Sequence, residues 1–452
     1  MNIRNKALYN KIEKFISASI PLLNKFVTKE KLPQLPETLS KGVGLSLPLF
    51  LLIDKHLIDL EKLSEFAECA EYIIKNTVTR KAMEWKNEEE KRIIDKPLKL
   101  HNFRPLYILL GKSLKKNNNG FSFEIDNYKK AYIDFEKSTY SKVTLNKLIA
   151  PLEGLYGNVE EVNFLNNFRL RKLSDQEKDN LRRDFAGLYK SPLPDVPNRM
   201  TDYLLEVVYS QKKGVLFATN GFTDIVTLLR LFKRGQVGFS IVKNEPVTWR
   251  LQSLTTFGFN YTRQGRISSP SYQLNTSEVP SLLRLWRRFK HFNKNLSSSP
   301  KGKYLNLALK WFNYGVEEKD YENKIIGFFI AFEALCLPHH GELSYRLSNR
   351  VAIILGKNGE KADYVRKFMV KAYGVRSEIV HGNEISPITL EGVTIPIDEF
   401  SLMVEEYLRE VLRAFLIFSN KYDKQKVILE ILDKGLHDVK TKRRIQKIIS
   451  TR

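Results

Sequence analysis

The chain has 452 residues, 42% of them hydrophobic and 28% charged, the composition of an ordinary soluble protein with two or three domains. Its net charge of +23 favours a polyanion such as nucleic acid as partner, although lysine-rich codon usage would account for part of the excess. Cys69 and Cys336 are the only cysteines and lie far apart, which argues against disulfides and a cysteine-built zinc site and predicts a reducing, cytoplasmic location.

No membrane span or signal peptide is expected. The most apolar run, Gly42 to Ile53, is 12 residues long and contains Pro48, so it is too short to cross a bilayer and is more typical of a buried helix. The N-terminus lacks a positively charged start followed by an apolar stretch. We therefore expect no membrane partner.

The first two thirds of the chain divide into two predicted domains. Residues 1–145 have mostly helical periodicity with a little strand, and their role is not readable. Residues 146–296 have an α+β pattern, with a hairpin turn at Asn166-Asn167, a helix-capping box from Ser174 to Glu177, and a strand predicted over Gly214 to Ala218.

A basic amphipathic helix is predicted from Leu282 to Leu296, with aromatic residues on its apolar face. Its cations suit either an RNA-backbone groove or a solvated surface. The candidate nucleic-acid contacts on this helix are Arg284, Arg287, Arg288 and Lys290.

The last third of the chain is predicted to be all helical. Residues 300–422 should form a bundle of five helices, over 303–315, 319–337, 342–356, 361–381 and 397–421. A basic helical tail, 423–452, follows and carries Arg443 and Arg444, which suit a phosphate-binding arm or a solvated terminal helix. The expected fold class is thus α+β multidomain with an all-α C-terminal bundle.

The end of the 361–381 helix carries the strongest functional signal. Phe368, Ala372, Val375 and Ile379 form an apolar stripe at helical spacing, and Gly382 is a predicted C-terminal cap. The neighbouring face presents Tyr373, Ser377 and His381, with Arg376 beside it. By residue type alone, these suit either a proton-transfer site or a capping histidine beside a surface arginine.

The stretch from Tyr373 to Gly382 resembles the Arg-x(4-6)-His motif of HEPN domains, specifically the Apea-like HEPN family. The segments Ile330 to Leu335 and Glu342 to Ala352 resemble the same family in the expected order, and a weaker similarity extends back to about residue 148. Residues 1 to about 145 show no such resemblance. The similarity implies a helical bundle that pairs with a second copy.

The resemblance further implies metal-independent RNA cleavage across a homodimer, with Arg376 and His381 catalytic and with no cofactor. A histidine can move the proton of a ribose 2′-hydroxyl or of the leaving oxygen, while a guanidinium stabilises charge on the phosphate. Ser377 occupies the position where many such motifs carry Asn, Asp or His, and could orient the ring of His381. An effector of antiviral or abortive-infection defence is the implied role.

Three further residues are expected to support the site: Glu333, Tyr373 and Arg350. Glu333 interrupts an apolar run and needs a partner, which is either Arg346 or Arg350 from the next helix or the catalytic Arg376. Tyr373 is expected to contact substrate or to pack.

Other readings of the chain are a binding protein and a metal protein. A non-catalytic RNA-binding or sensor protein would use the same bundle for dimerisation alone. Cys336 with His339 and His340 lacks a fourth ligand within reach, so no metal is predicted.

Overall fold

The fold was analysed in a computed structural model. It describes residues 3–29, 52–53, 55–76, 103–117, 120–140, 145–186, 200–210, 214–246, 256–259, 271–295, 299, 302–337, 342–357, 359–385, 387–422 and 424–450.

The N-terminal part is helical with one small hairpin. Its elements are α1 (Lys6–Lys29), α2 (Leu57–Glu61), α3 (Ser64–Lys75), α4 (Arg104–Ser113), β1 (Leu114–Asn117), β2 (Gly120–Phe123) and α5 (Ile125–Tyr140). Their apolar faces enclose a core of their own, which includes Phe15, Phe66 and Phe135. The start of α1 is tied to α5, because the buried Glu136 carboxylate accepts the backbone N–H groups of Arg4 and Asn5 at 2.8 and 2.6 Å.

A six-stranded antiparallel sheet forms the centre of the next part. Its strands, in the spatial order β5-β6-β7-β3-β8-β9, are β3 (Leu145–Glu153), β5 (Glu161–Asn163), β6 (Phe168–Lys172), β7 (Met200–Ser210), β8 (Ile241–Pro246) and β9 (Thr256–Phe259). A second, two-stranded sheet pairs β4 (Leu155–Gly157) with β10 (Tyr272–Leu274) in parallel. Helices α6 (Asp175–Ala186), α7 (Gly214–Phe232) and α8 (Val279–Asn295) complete this part.

Two local predictions in the sheet region are confirmed. The hairpin joins β5 to β6, but its connection covers the four residues 164–167 and not the two residues predicted at Asn166-Asn167; Asn167 has a left-handed φ of 64°. The capping box at the start of α6 is also present: Ser174 Oγ accepts the N–H of Glu177, whose carboxylate accepts the N–H of Ser174 at 3.0 Å.

The strand predicted over Gly214 to Ala218 is wrong, because these residues start α7. A short apolar run does not distinguish strand from helix by its pattern, and here the run continues into a 19-residue helix with a buried face. Gly221 lies on that face, where a Cβ atom would meet the ring of Phe168 at 2.0 Å. The glycine therefore allows α7 to approach the sheet closely.

The C-terminal part is helical, as predicted. It consists of α9 (Lys303–Glu317), α10 (Tyr321–Cys336), α11 (Leu343–Leu355), α12 (Gly359–Val380), a two-residue hairpin of β11 (Thr389–Leu390) and β12 (Val393–Thr394), α13 (Ile397–Ser419), α14 (Gln425–His437) and α15 (Val439–Ser450). The observed ends of α9 to α13 lie within two residues of the predicted ones.

Among the described residues, one hydrophobic core extends from Leu148 to Ile449 and joins the sheet region to the C-terminal helices. Helix α13 packs on α9, α10 and α11 and also reaches α7 and α8. The mixed α+β class with a helical C-terminal part is therefore confirmed. The predicted domain limits stay predictions, and the shared core adds that the α+β segment and the helical segment fold against each other.

Two arginines of α13 join these segments. Arg409 is 1% exposed, and its Nε donates to the carbonyl of Arg230 at 2.7 Å while its other nitrogens pair with Glu405 and Glu406. Arg413 donates to the carbonyls of Leu231 and Phe232 at 2.7 and 2.6 Å. These bonds satisfy the last carbonyls of α7, which a helix leaves without internal partners.

Among the described residues, one helix, α7, is long and apolar enough to cross a membrane by length and composition. Within the fold, 56% of that stretch is buried. Its buried side faces the sheet and the helices α8, α9 and α13, so it is part of the core.

Replacing Arg409 by Met should lower the free energy of unfolding by about 3 to 5 kcal/mol, because it leaves the buried Glu405 carboxylate and the carbonyl of Arg230 without a donor. Urea denaturation followed by circular dichroism measures the change. Arg366→Met on α12 is the control, since Arg366 is 44% exposed and its pair with Asp363 contributes little. Equal losses in both variants would contradict the proposed anchoring.

Candidate functional site

The C-terminal end of α12 has the geometry of a Schellman cap. Gly382 has a φ of 67°, its N–H donates to Ile379 O at 3.1 Å, and Asn383 N–H donates to Glu378 O at 2.9 Å. His381 is therefore the capping residue itself, one position beyond the last helical residue. Its side chain is exposed, and it makes no side-chain hydrogen bond or ion pair within the described part of the chain.

The predicted apolar stripe fixes how α12 is turned. Phe368, Ala372 and Val375 are buried and Ile379 is half-buried, as expected. The ring of Phe368 packs against Tyr407 of α13, with ring centroids 4.6 Å apart. This packing turns the side of α12 that carries Tyr373 and Arg376 towards α10.

Glu333 of α10 meets Arg376 of α12. A guanidinium nitrogen of Arg376 lies 3.3 Å from Glu333 Oε1, and the hydroxyl of Tyr373 donates a hydrogen bond to the same carboxylate. The guanidinium also lies 5.7 Å from the centroid of the Tyr373 ring. Of the three arginines left open as partners of Glu333, the structure selects Arg376.

Pairing of Glu333 with Arg346 or Arg350 is therefore wrong. Arg350 forms a bidentate pair with Asp433 of α14, at 2.7 and 2.6 Å, and also donates to the carbonyl of Cys336. Arg350 thus holds α14 against the ends of α10 and α11. Its contacts are structural, whereas the sequence assigned it to the site.

Burial controls the titration of this cluster. Burial raises the pKa of the Glu333 carboxyl, and Arg376 and the Tyr373 hydroxyl oppose the increase without reversing it. Burial, with the Glu333 carboxylate next to it, also raises the pKa of Tyr373. Tyr373 therefore stays a neutral phenol that can donate to Glu333 at physiological pH.

The guanidinium of Arg376 is held in place but not saturated. Its Nε is buried and has no hydrogen-bond partner, while 22% of the side chain is exposed. A guanidinium has five N–H donors, and a buried donor without a partner is unfavourable. Arg376 therefore retains donors for a ligand that reaches it.

Ser377 is half-buried one turn before His381, and it contacts that residue through its backbone carbonyl, which accepts the N–H of His381 at 3.1 Å. Within the described residues its hydroxyl makes no hydrogen bond to the histidine ring. Orientation of His381 by Ser377 stays a prediction.

Gly374 is a residue to which the sequence assigned no role. It lies in the middle of α12, is exposed, and a Cβ there would meet nothing within 4 Å. A glycine inside a helix is less favourable than alanine by about 1 kcal/mol. With Val370, Ser377 and His381 it forms one stripe at helical spacing, and the small residue leaves room for another chain to come close to this stripe.

The structure divides the predicted basic residues of α8. Arg284 and Arg287 are exposed and Arg288 is half-buried. Lys290 instead forms an ion pair with Asp224 of α7 at 2.9 Å and lies 4.7 Å from the centroid of the Trp286 ring. Lys290 therefore fastens α8 to α7, and the solvent-facing part of this patch is reduced to the arginines.

The basic residues of the tail are better placed for a polyanion. Arg443 and Arg444 are exposed on α15 and form no ion pair within the described part of the chain. The helix itself is anchored by Ile445 and Ile449, which are buried, and by Gln446, whose side-chain amide donates to Ile353 O at 2.6 Å.

The described residues contain no group of three His, Cys, Asp or Glu side chains arranged to hold a metal ion. Cys336 is buried at the end of α10. His339 and His340, which the sequence analysis considered with it, lie outside the described residues.

No family model, curated protein or solved structure matches the chain. The family resemblance therefore rests on the sequence motifs alone, and the geometry of the site has to be argued from its own residues.

The electrostatics of Glu333 give a pH-dependent prediction. Because folding raises its pKa, the folded chain holds this proton more tightly than the unfolded chain, and the residue's contribution to stability falls as pH rises from about 4.5. Glu333→Gln removes this titration, so the stability of the variant relative to wild type should increase between about pH 4.5 and 7. Urea midpoints measured across that range test this.

Glu322→Gln, an exposed position on the same helix, is the control for the change in charge. A stability difference that moves in favour of wild type as the pH rises would mean that Arg376 outweighs burial in setting the pKa of Glu333.

Proposed function

We propose that the chain is a metal-independent endoribonuclease in which Arg376 and His381 act at a site shared by two copies. The observation that carries the proposal is the state of Arg376, which is fixed by Glu333 and Tyr373 yet keeps an unpartnered buried Nε and a partly exposed side chain. An arginine fixed in this way, five residues before an exposed histidine, is suited to a phosphate. The motif's resemblance to Apea-like HEPN domains supports the same conclusion.

The chemistry follows from these two side chains. One His381 removes the proton of a ribose 2′-hydroxyl, and the oxygen attacks the adjacent phosphorus. The bond from phosphorus to the 5′-oxygen breaks, leaving a 2′,3′-cyclic phosphate, and the leaving oxygen takes a proton from an imidazolium on its other side. Arg376 donates hydrogen bonds to the phosphate oxygens as negative charge builds up on them.

Two copies are required because the base and the acid act on opposite sides of the phosphorus, and one His381 cannot occupy both positions. A two-fold pairing of α12 supplies the second histidine. The stripe of exposed Val370, Gly374 and His381 with half-buried Ser377 supports this arrangement, because a helix can come closest to its symmetry mate where the side chain is absent.

Under this proposal the chain has a three-part layout with a tail. Residues 300–422 are a HEPN-like catalytic and dimerising bundle, residues 146–296 are an α+β domain packed on it, and residues 1–145 form a separate mostly helical domain. The tail, 423–452, contributes to RNA binding. The resemblance also favours a cytoplasmic effector of antiviral or abortive-infection defence, and the rival reading is an RNA-binding protein without catalysis.

Purified protein in EDTA should cleave RNA, and His381→Ala should abolish the cleavage while leaving the free energy of unfolding within about 0.5 kcal/mol of wild type, because the side chain is exposed. Asn383→Ala, an exposed polar neighbour, is the control. Cleavage that survives in His381→Ala excludes the proposed mechanism, and absence of cleavage in wild type favours the rival reading.

Gly374→Ala tests the shared site. The substitution should stabilise the isolated chain by up to about 1 kcal/mol, because alanine is the better helix former and the position has free space around it. It should nevertheless weaken the dimer and reduce cleavage, since two methyl groups would separate the paired helices. Sedimentation and cleavage assays on the same sample measure both effects.

Gly359→Ala near the start of α12 is the matched control, because its Cβ also meets nothing within 4 Å. A Gly374→Ala protein that dimerises and cleaves like wild type would remove this stripe from the interface.

A further inference from the structure

A surface pocket of about 440 Å³ lies between α11 and α14, and the proposed reaction does not use it. This volume is within the range of sites that hold one small ligand. Its lining includes Tyr345, Arg346 and Asn349 from α11 and Asp433, Lys434 and His437 from α14.

The wall of this pocket is rigid. Arg350 of α11 is 5% exposed and donates to both carboxylate oxygens of Asp433, which links α11 to α14. Asn349 donates its side-chain amide to the carbonyl of Tyr345 at 2.9 Å. Because Arg350 neutralises Asp433, that carboxylate does not repel an anion.

The remaining charges favour a phosphate. Arg346 is exposed and forms no ion pair or side-chain hydrogen bond within the described residues. Lys434 and His437 are also exposed, on the last turn of α14. The lining further includes Leu436 and the carboxylate of Glu342, which can accept a hydrogen bond from a sugar hydroxyl or a base amino group.

Tyr345 gives the pocket a flat aromatic surface. The residue is 61% exposed, which is unusual for a large aromatic side chain. An unpaired nucleobase stacks on such a ring whatever its identity. A bare phosphate would make no use of it.

The basic helix α15 continues from this pocket. It starts at Val439, two residues after the lining residue His437, and carries five cations and no acidic residue. Both α14 and α15 pack on α11, so the pocket and the basic helix belong to one rigid surface. A chain of phosphates can therefore run from Arg346 to the exposed Arg443 and Arg444.

We propose that this pocket holds one unpaired nucleotide of an RNA strand, with its base on Tyr345 and its phosphate on Arg346 and Lys434, while the strand continues along α15. The inference rests on the proposed ribonuclease function and names a place where the substrate is gripped away from the reacting atoms. It makes Tyr345 and Arg346 binding residues rather than catalytic ones.

The test measures binding of a single-stranded RNA of about ten nucleotides by fluorescence anisotropy, in the full-length His381→Ala chain so that the RNA stays intact. Tyr345→Ala should weaken binding about tenfold without changing the salt dependence, because stacking involves no counterion release. Arg346→Gln should weaken binding and reduce the slope of affinity against salt by about 0.7. Tyr345→Phe keeps the ring and should match the parent chain.

Two controls make the result specific. Lys426→Gln removes an exposed cation of α14 that is outside the pocket lining and should leave affinity nearly unchanged. RNA in a perfect duplex offers no free base, so its affinity should be insensitive to Tyr345→Ala.

The outcomes separate this inference from the ribonuclease proposal. If the wild-type chain cleaves RNA but Tyr345→Ala leaves the RNA affinity unchanged, the inference is wrong and the proposed function stands. Equal losses on duplex and single strand also overturn it. Binding of free AMP that depends on Tyr345, without any effect of Tyr345 on RNA, replaces the strand with a small-molecule ligand and overturns it too.

Discussion

The bonds from Arg409 and Arg413 to the last turn of α7 are the constraint on which the rest of this fold depends. They place two buried or half-buried guanidinium groups of α13 against three consecutive carbonyls of a helix that also packs on the sheet. The last carbonyls of a helix that ends inside a core need hydrogen-bond donors, and here two arginines of a later helix supply them. The α+β layer and the helical bundle consequently share one interior, and α12 packs on helices α10, α11 and α13 of that body.

The same principle operates at the candidate site on a smaller scale. Glu333 interrupts the apolar run of α10 that starts at Ile325, and its carboxylate is accommodated there because Tyr373 and Arg376 approach it from α12. The carboxylate of Glu333 holds the guanidinium of Arg376 in one position near the surface. Because the guanidinium keeps a donor without a partner, it is preorganised to bind a phosphate, as phosphate chemistry requires.

The sequence predicts some features of this molecule well and others poorly, for physical reasons. The limits of α9 to α13 and the cap at Gly382 were accessible because they depend on helical periodicity and on residue types that act locally. The partner of Glu333 could not be predicted from the sequence, since Arg346, Arg350 and Arg376 all carry the complementary charge. Only the packing of the helices determines which of them reaches the carboxylate. The ion pair of Lys290 could not be predicted for the same reason, because the pattern of an amphipathic helix does not show that Asp224 of another helix lies beside it. The strand over Gly214 to Ala218 failed because an apolar run of that length is compatible with both backbone periods.

Helix α13 comes long after α7 in the chain, and this order has a consequence for synthesis. Helix α7 and the sheet emerge from the ribosome long before Arg409 and Arg413 are made, so during that interval the end of α7 and its apolar face have no partner. Until α13 is made, these groups lack the donors and the apolar contacts that the folded protein gives them. A product that stops before α13 lacks the helix that closes the interior. The α+β segment thus depends for its interior on residues made after it, and its packing is completed only once α13 has been added.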